Sequence, residues 1–491
     1  MLRDFKNIDP DDLTDSYDLC VAGTGPAGMT VARKVASKGG RVLLLEAGGL
    51  APSPESRDVY KGRDIGPVPY NHIEKCRLRH FGGTSGHWAG RCAIFDREDF
   101  EKAAGSDLPG WPIGYDEVYR HLEEAKSILD VPQADLEPTP LPFEDSFYRK
   151  GAAARSTPTR FGPKYKDEIE QSDRIDCLYN ANVTDLVVSD DGQQVEKVIV
   201  TGYDGKRAEI AAKAFVIAFG AMENARFLLN ANTQQEEGVG NQNDMVGRAF
   251  MEHFEINFGT ITSTEDGFWK RFLDERGHMP HLMPKDEILR ETGVGNSVVV
   301  VKSGATRRFY GRLAPLREAR SKMACSVPLF RANKGDASCP DEYFIGTLME
   351  QVPNRESRIM VDPDDPDQFG KARLLLHYAV AERDWETIEQ HAFALGKMVA
   401  RLNVGRLKVS EELFDRTIPI GAHCHHMGTT RMSVRPEDGV VDKDSRVHGL
   451  SNLYMAGASV FSTGGGANPT LTIVSLSLRL GEHLSRELSL S

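Results

Sequence analysis

An α/β fold built on a parallel sheet is what the sequence predicts, on three observations. The first is Tyr17-Asp-Leu-Cys-Val-Ala-Gly23, a short apolar run that passes directly into Gly23-Thr-Gly25-Pro-Ala-Gly28 and then into the helical pattern Met29 to Lys38. The second is Arg41-Val-Leu-Leu-Leu-Glu46, a further buried-strand pattern that ends in an acid 18 residues after Gly28. Strand, glycine turn, helix and strand make a βαβ unit of ordinary size. The third is that strand and helix patterns resume far down the chain, at Ile175 to Asp190, Lys197 to Tyr203, Arg207 to Ile217 and Glu223 to Leu229.

The glycine turn is the most informative element. Spacing of this kind is common by itself, and a plain turn in any doubly wound protein is the competing reading. Here it follows a strand, opens a helix and precedes an acid at the end of the next strand. Gly23 permits the tight turn, Gly25 lets the backbone approach a pyrophosphate and Gly28 allows close helix packing. The helix start offers its unpaired N–H groups to the phosphates. Glu46, with Ala47 beside it, would accept from ribose hydroxyls. The turn does not separate FAD from NAD.

At 491 residues, 40% of them hydrophobic, the chain can bury two or three packed regions. From Ala47 to about Arg160 it is irregular and rich in Pro and Gly, apart from a helix pattern at Tyr115 to Leu129. The stretch from Glu255 to Pro419 differs, with strand-like runs such as Ser297 to Val301 and a long polar helix near Arg383 to Leu402. After Gly421 glycine becomes frequent again, and the chain closes on an amphipathic pattern, Leu471 to Leu488. The expected division is a cofactor domain from 1–80, 165–254 and 420–491, a covering segment 81–164, and a substrate domain 255–419.

A net charge of −12 argues against nucleic acid, which is held mainly by Lys and Arg in excess, and would tolerate a cationic substrate. Cys20, Cys76, Cys92, Cys177, Cys325, Cys339 and Cys424 show no CxxC pairing, so no disulfide framework is expected and a reducing compartment is inferred. With no apolar leader and no run of the ~18–20 apolar residues a membrane span needs, the expected location is the cytoplasm.

Three further segments carry a family resemblance: Phe81-Gly-Gly-Thr-Ser-Gly-His87-Trp88, then His425-His-Met-Gly428-Thr429-Thr-Arg-Met432, then Leu450-Ser-Asn-Leu-Tyr-Met-Ala-Gly457-Ala-Ser459 running on to Ala467-Asn468-Pro469-Thr470. Trp111-Pro-Ile-Gly-Tyr115, Ala218-Phe-Gly220-Ala221 and Gly247-Arg248 with His253 are smaller matches in the same order. On these residues the chain resembles the glucose-methanol-choline family of flavin oxidoreductases, and looks closer to its sugar- and glycoside-oxidising members than to its choline or long-chain alcohol branches.

The resemblance implies FAD, a Rossmann-like FAD domain assembled from discontinuous segments, and an α+β substrate domain with an antiparallel sheet. It places Gly82, Gly83, Thr84 and Ser85 where backbone amides approach the cofactor. Gly457, Ala458, Pro469 and Thr470 come beside the flavin, and the Val183 backbone against adenine. Some members attach FAD covalently through a histidine at the position of His87 and others do not, so both readings stand for His87. The base falls on His425 and its partner on Asn468.

Competing readings stay beside these. His423, His425 and His426 could form a metal site or a solvated loop, although no Cys or acid with ligand spacing is near except Cys424, and no metal is expected. His423 would share a face with His425 in an extended segment, and His426 would point away. Asn468 could be a turn residue ahead of Pro469. His80, His253 and His391 carry no catalytic motif and are read as structural.

The expected function is oxidation of a CH–OH donor, a sugar, glycoside or amino sugar first, by hydride transfer to flavin N5. Oxygen, a quinone or another carrier would be the acceptor. The family also contains hydroxynitrile lyases and flavin subunits of cytochrome-linked complexes, and these are the alternatives.

Overall fold

Four parallel strands end level with one another, and their carboxyl ends build the site. Tyr17–Ala22 lies between Val42–Leu45 and Arg207–Ile217, with Ala22 opposite both Leu45 and Ile217, and Leu453–Met455 follows with Met455 opposite Ile217. Ile175–Tyr179 and Leu2–Asp4 continue the sheet beyond Val42–Leu45, also in parallel. Val42-Leu-Leu-Leu45 is buried throughout, as a central strand covered on both faces requires. In this computed structural model the described residues are 1–13, 17–71, 73–264, 281–303 and 342–490. Cys325 and Cys339 lie outside them.

Arg207–Ile217 joins an antiparallel arm to the parallel part of the sheet because its sequence changes character halfway. Arg-Ala-Glu-Ile-Ala alternates exposed and buried residues and pairs antiparallel with Val195–Thr201. Ala214-Phe-Val-Ile217 is continuously buried and pairs in parallel on both sides. The run Ile175 to Asp190, read as one strand, is two. Asn180 turns at φ +56°, a conformation Asn tolerates better than most residues, and Asn182–Val188 joins the antiparallel edge. Tyr115 to Leu129 likewise divides into helices Tyr115–Val118 and Leu122–Ile128, while the Tyr119 hydroxyl is drawn into the core to accept the Phe95 N–H and meet Thr472.

Helix Pro26–Ala36 packs over this sheet, and the closing helix Thr470–Glu487 packs on it so tightly that a Cβ on Gly481 would lie 2.7 Å from Lys34 Cβ. A second, antiparallel sheet runs in the order Gly405–Val409, Gly259–Ser263, Glu342–Met349, Ser297–Ser303, His281–Pro284 and Tyr148–Gly151. Its Ile261, Val299 and Ile345 share a core with Ile388, Leu395 and Met398 of helix Glu382–Arg401. The hairpin Arg358–Pro366 and Ala372–His377 lies within 255–419 but buries Ile359, Leu374 and Leu376 in the first core. Among the described residues no helix is long and apolar enough to cross a membrane.

Candidate active site

A cavity of about 660 Å³ opens where the level strand ends stop, lined by Gly23, Glu46, Ala218 and Gly457 among others. Ligands of open α/β sheets bind at this edge. Three helices also begin there: Pro26–Ala36 after Gly25, Ala221–Asn230 after Gly220, and Thr470–Glu487 after Pro469, none with a side-chain cap. Their unpaired N–H groups and aligned dipoles favour negative charge, such as a diphosphate. A Cβ at Gly25 or Gly220 would meet no atom within 4 Å although both residues line the cavity, so bare backbone faces the space a cofactor needs.

Most of the residues singled out from the sequence meet in this wall: Gly23, Gly25, Glu46, Ala47, Gly83, Thr84, Ser85, His87, His425, Gly457, Ala458, Asn468, Pro469 and Thr470. Three do not line it. Gly28 lies beneath, where a Cβ would fall 1.9 Å from Gly23 O. Gly82, at φ +92°, donates its N–H to Thr24 Oγ1 at 2.9 Å and backs onto Gly162, so it shapes the wall from behind. Val183 is 7% exposed in its strand, and its neighbour Asn182 reaches the wall through Arg79, which donates to Asn182 Oδ1 at 2.7 Å. Glu46 also holds the glycine turn, accepting from the Thr24 N–H and hydroxyl and, at 2.9 Å, from the Gly48 N–H.

The histidines are held from behind by Glu252, which is fully buried. Its Oε1 accepts the N–H groups of His253 at 2.9 Å and His425 at 2.6 Å, and its Oε2 accepts the Tyr70 hydroxyl at 2.8 Å. His425 Nε2 faces Asn468 Nδ2 at 3.3 Å, and His425 Nδ1 meets His253 Nδ1 at 2.9 Å. His423 stacks on His425 with ring centroids 5.7 Å apart, its Nε2 2.8 Å from the carbonyl of Thr347. His426 lines the cavity too, with Nε2 2.6 Å from the Tyr70 hydroxyl. Cys424, between them, adopts φ +63°, a conformation rare for a residue with a side chain.

Burial, and then the charges that His253, His423, His426 and Arg91 would bring, push His425 well below the usual imidazole range, so the ring rests neutral. Burial likewise takes His253 down to about 4. In Glu252 burial outweighs its N–H and hydroxyl donors and raises the carboxyl from 4.5 to about 7. A folded value above the unfolded one gives stability that is complete below about 4.5 and is lost as pH rises through about 7. Glu252→Gln removes that loss. The melting temperature of the variant minus that of the natural chain is expected to be more positive at about pH 8 than at about pH 5, and equal differences would refute the assignment.

Two features escaped the sequence. Arg77 and Arg79 line the cavity, Arg77 bridging the Tyr60 carbonyl and Glu223, and the density of Lys75, Arg77 and Arg79 in an acidic chain was the available signal. Cys76 and Cys424 form a disulfide with Cα atoms 5.6 Å apart, which corrects the expectation of unpaired cysteines. A separation of 348 residues gives no spacing motif, and only folding brings the two together. The inference of a reducing compartment loses its premise. Cys20, Cys92 and Cys177 are free and buried.

A family model described as GMC oxidoreductase matches residues 353–477. The chain is 23% identical to 2-methyl-1,2-propanediol dehydrogenase of Mycolicibacterium austroafricanum over 97% of this chain and 96% of that protein. It is 25% identical to C-glycoside 3-oxidase of Microbacterium trichothecenolyticum over 64% of this chain and 54% of that protein. Among solved structures, pyridoxine 4-oxidase from Mesorbium loti superposes with a TM-score of 0.60 at 17% identity, covering 95% of this chain and 99% of that one. With its parallel sheet, glycine turn and uncapped helix starts built around one cavity, the chain is similar in sequence and fold to FAD-dependent alcohol oxidoreductases, and its residues 353–477 match the model of the GMC oxidoreductases among them.

Proposed function

We propose that the chain oxidises a hydroxyl of a sugar, glycoside or amino sugar to a carbonyl, with His425 as the base and Asn468 as the group that holds the reacting oxygen. The observation that carries this reading is the pair itself, His425 Nε2 and Asn468 Nδ2 3.3 Å apart in the wall of the cofactor cavity. Bound FAD supplies what no side chain can, acceptance of the hydride from the carbinol carbon. Loss of that hydride leaves a protonated carbonyl unless the hydroxyl proton departs, so a neutral imidazole within hydrogen-bond reach lowers the barrier by taking it. The Asn468 amide donates to the same oxygen and keeps the carbinol carbon in one orientation. A carbohydrate donor is supported by the name of the C-glycoside 3-oxidase relative, and the net charge of −12 suits a cationic amino sugar.

The test is anaerobic flavin absorbance of the holoenzyme against sugars, glycosides, amino sugars, diols and simple alcohols. Bleaching by one carbohydrate class is expected. Bleaching by small diols alone moves the substrate to that class, and a bound flavin that nothing bleaches returns the lyase reading.

His87 separates the two attachment modes. Its Nε2 is 3.2 Å from the Cys76 carbonyl, which uses that nitrogen as a donor. That contact leaves Nδ1 of the ring open to either mode, and a flavin that is not bonded leaves its yellow colour in the supernatant on acid precipitation. Colour that stays with the pellet, and leaves it in His87→Ala, would make His87 the attachment point.

A further inference from the structure

Beyond the pair that faces substrate, we propose that His253 is a positioning residue that fixes which nitrogen of His425 carries the proton. The inference rests on the reading of His425 as base and names what makes it one.

The assignment follows from counting donors. His253 is fully buried, and its Nε2 faces two carbonyl oxygens, Gly465 O at 2.8 Å and Gly464 O at 3.1 Å. Carbonyl oxygens only accept, so this nitrogen carries hydrogen. A neutral imidazole has one N–H, which leaves His253 Nδ1 as a bare lone pair. That lone pair lies 2.9 Å from His425 Nδ1, and two lone pairs at that distance would repel, so His425 Nδ1 carries the hydrogen and donates it. His425, neutral as well, then has its lone pair on Nε2. The other end of the chain agrees independently: the atom 3.3 Å from His425 Nε2 is the Asn468 amide nitrogen, a donor that needs a lone pair opposite it.

The consequence is a directed relay. The carbonyls of Gly464 and Gly465 orient His253, His253 orients His425, and the basic nitrogen faces the cavity before substrate arrives. When His425 takes the hydroxyl proton, the bond from its Nδ1 to His253 becomes charge-assisted and strengthens without any group moving. Gly464 and Gly465 belong to the same stretch as Asn468, so His253 also ties the base to its partner. Support of the backbone alone does not need the His253 ring, because Glu252 already holds the N–H groups of both histidines.

The experiment compares His253→Gln with His253→Leu in the holoenzyme. The glutamine amide can accept from His425 Nδ1 and donate to Gly465 O, whereas leucine can do neither. Two-bond nitrogen–proton NMR of the histidine-labelled natural chain is expected to show His425 protonated at Nδ1 and bare at Nε2. The glutamine variant keeps that tautomer. The leucine variant shows a mixture and reduces its flavin ~10²-fold more slowly, at equal flavin content, with the carbohydrate found in the panel. A natural chain protonated at Nε2, or a leucine variant with the natural tautomer and rate, overturns the proposal. Should leucine prevent folding, the NMR of the natural chain and of the glutamine variant still decides. If His425→Ala reduces flavin normally, the base reading fails while the tautomer assignment stands, so the two failures are distinct.

Discussion

His425→Ala is expected to slow anaerobic flavin reduction by ~10²–10⁴-fold while the flavin stays bound, the range in which a positioned general base contributes. The separation of effects follows from place. In the proposed reading the glycine turn, the helix starts and the segment from Gly83 to His87 would grip the cofactor, whereas His425 lies against Asn468 in the wall of the same cavity. Removal of the ring therefore takes away the proton acceptor and leaves the cradle. The pH dependence has a definite sign. A base must be neutral to act, and burial, then the charge that His253, His423, His426 and Arg91 would bring, holds His425 well below the ordinary value of 6.5. The rate in the natural chain should stay level as pH falls through about 6.5 and decline only at markedly lower pH. Stopped-flow absorbance across pH checks both statements. A variant that reduces flavin at the natural rate, or a decline centred near 6.5, would remove His425 from the chemistry.

Gly28→Val is the second large effect: protein without flavin and with a lower melting temperature. A Cβ at Gly28 would fall 1.9 Å from Gly23 O and 3.0 Å from Gly23 C, so helix Pro26–Ala36 could no longer sit against the turn that begins it. Gly23 cannot retreat, because its own Cβ position lies 2.5 Å from Ala218 O in the neighbouring strand end. Overpacking of this kind costs about 1–3 kcal/mol and occasionally more. Gly25→Ala is the control. Its Cβ meets nothing within 4 Å but projects toward the cavity, so the variant should fold and melt like the natural chain yet bind FAD about tenfold more weakly or worse. Flavin-to-protein absorbance ratios and thermal unfolding separate the two. Equal flavin content in all three proteins would refute the assignment of the turn to the cofactor.

How far the sequence was readable depends on the range of each constraint. The βαβ unit was legible because its information is local. Gly28 answers a steric demand from Gly23 within the same turn, and Val42-Leu-Leu-Leu45 shows its burial on both faces in its composition. The switch within Arg207–Ile217 from alternation to a continuous apolar run was equally local. The break at Asn180 and the division of Tyr115 to Leu129 were not, because a left-handed asparagine and a tyrosine hydroxyl drawn into the core answer to partners elsewhere in the chain.

The candidate site divides in the same way. By itself the sequence determined the glycine turn, the acid at the end of the second strand, and the motifs that carry His425 and Asn468. Each is a short run whose residue types answer a local demand of backbone shape or proton chemistry. The tertiary structure alone decided that four strand ends stop level, that three helices begin on one cavity, that Cys76 meets Cys424, and that His253 lies against His425 with Glu252 behind both. His253 and His425 are 172 residues apart, and no spacing announces a hydrogen bond between two rings. The direction of that bond is set by which neighbours can only accept and which can only donate, a property of the folded surroundings rather than of either histidine.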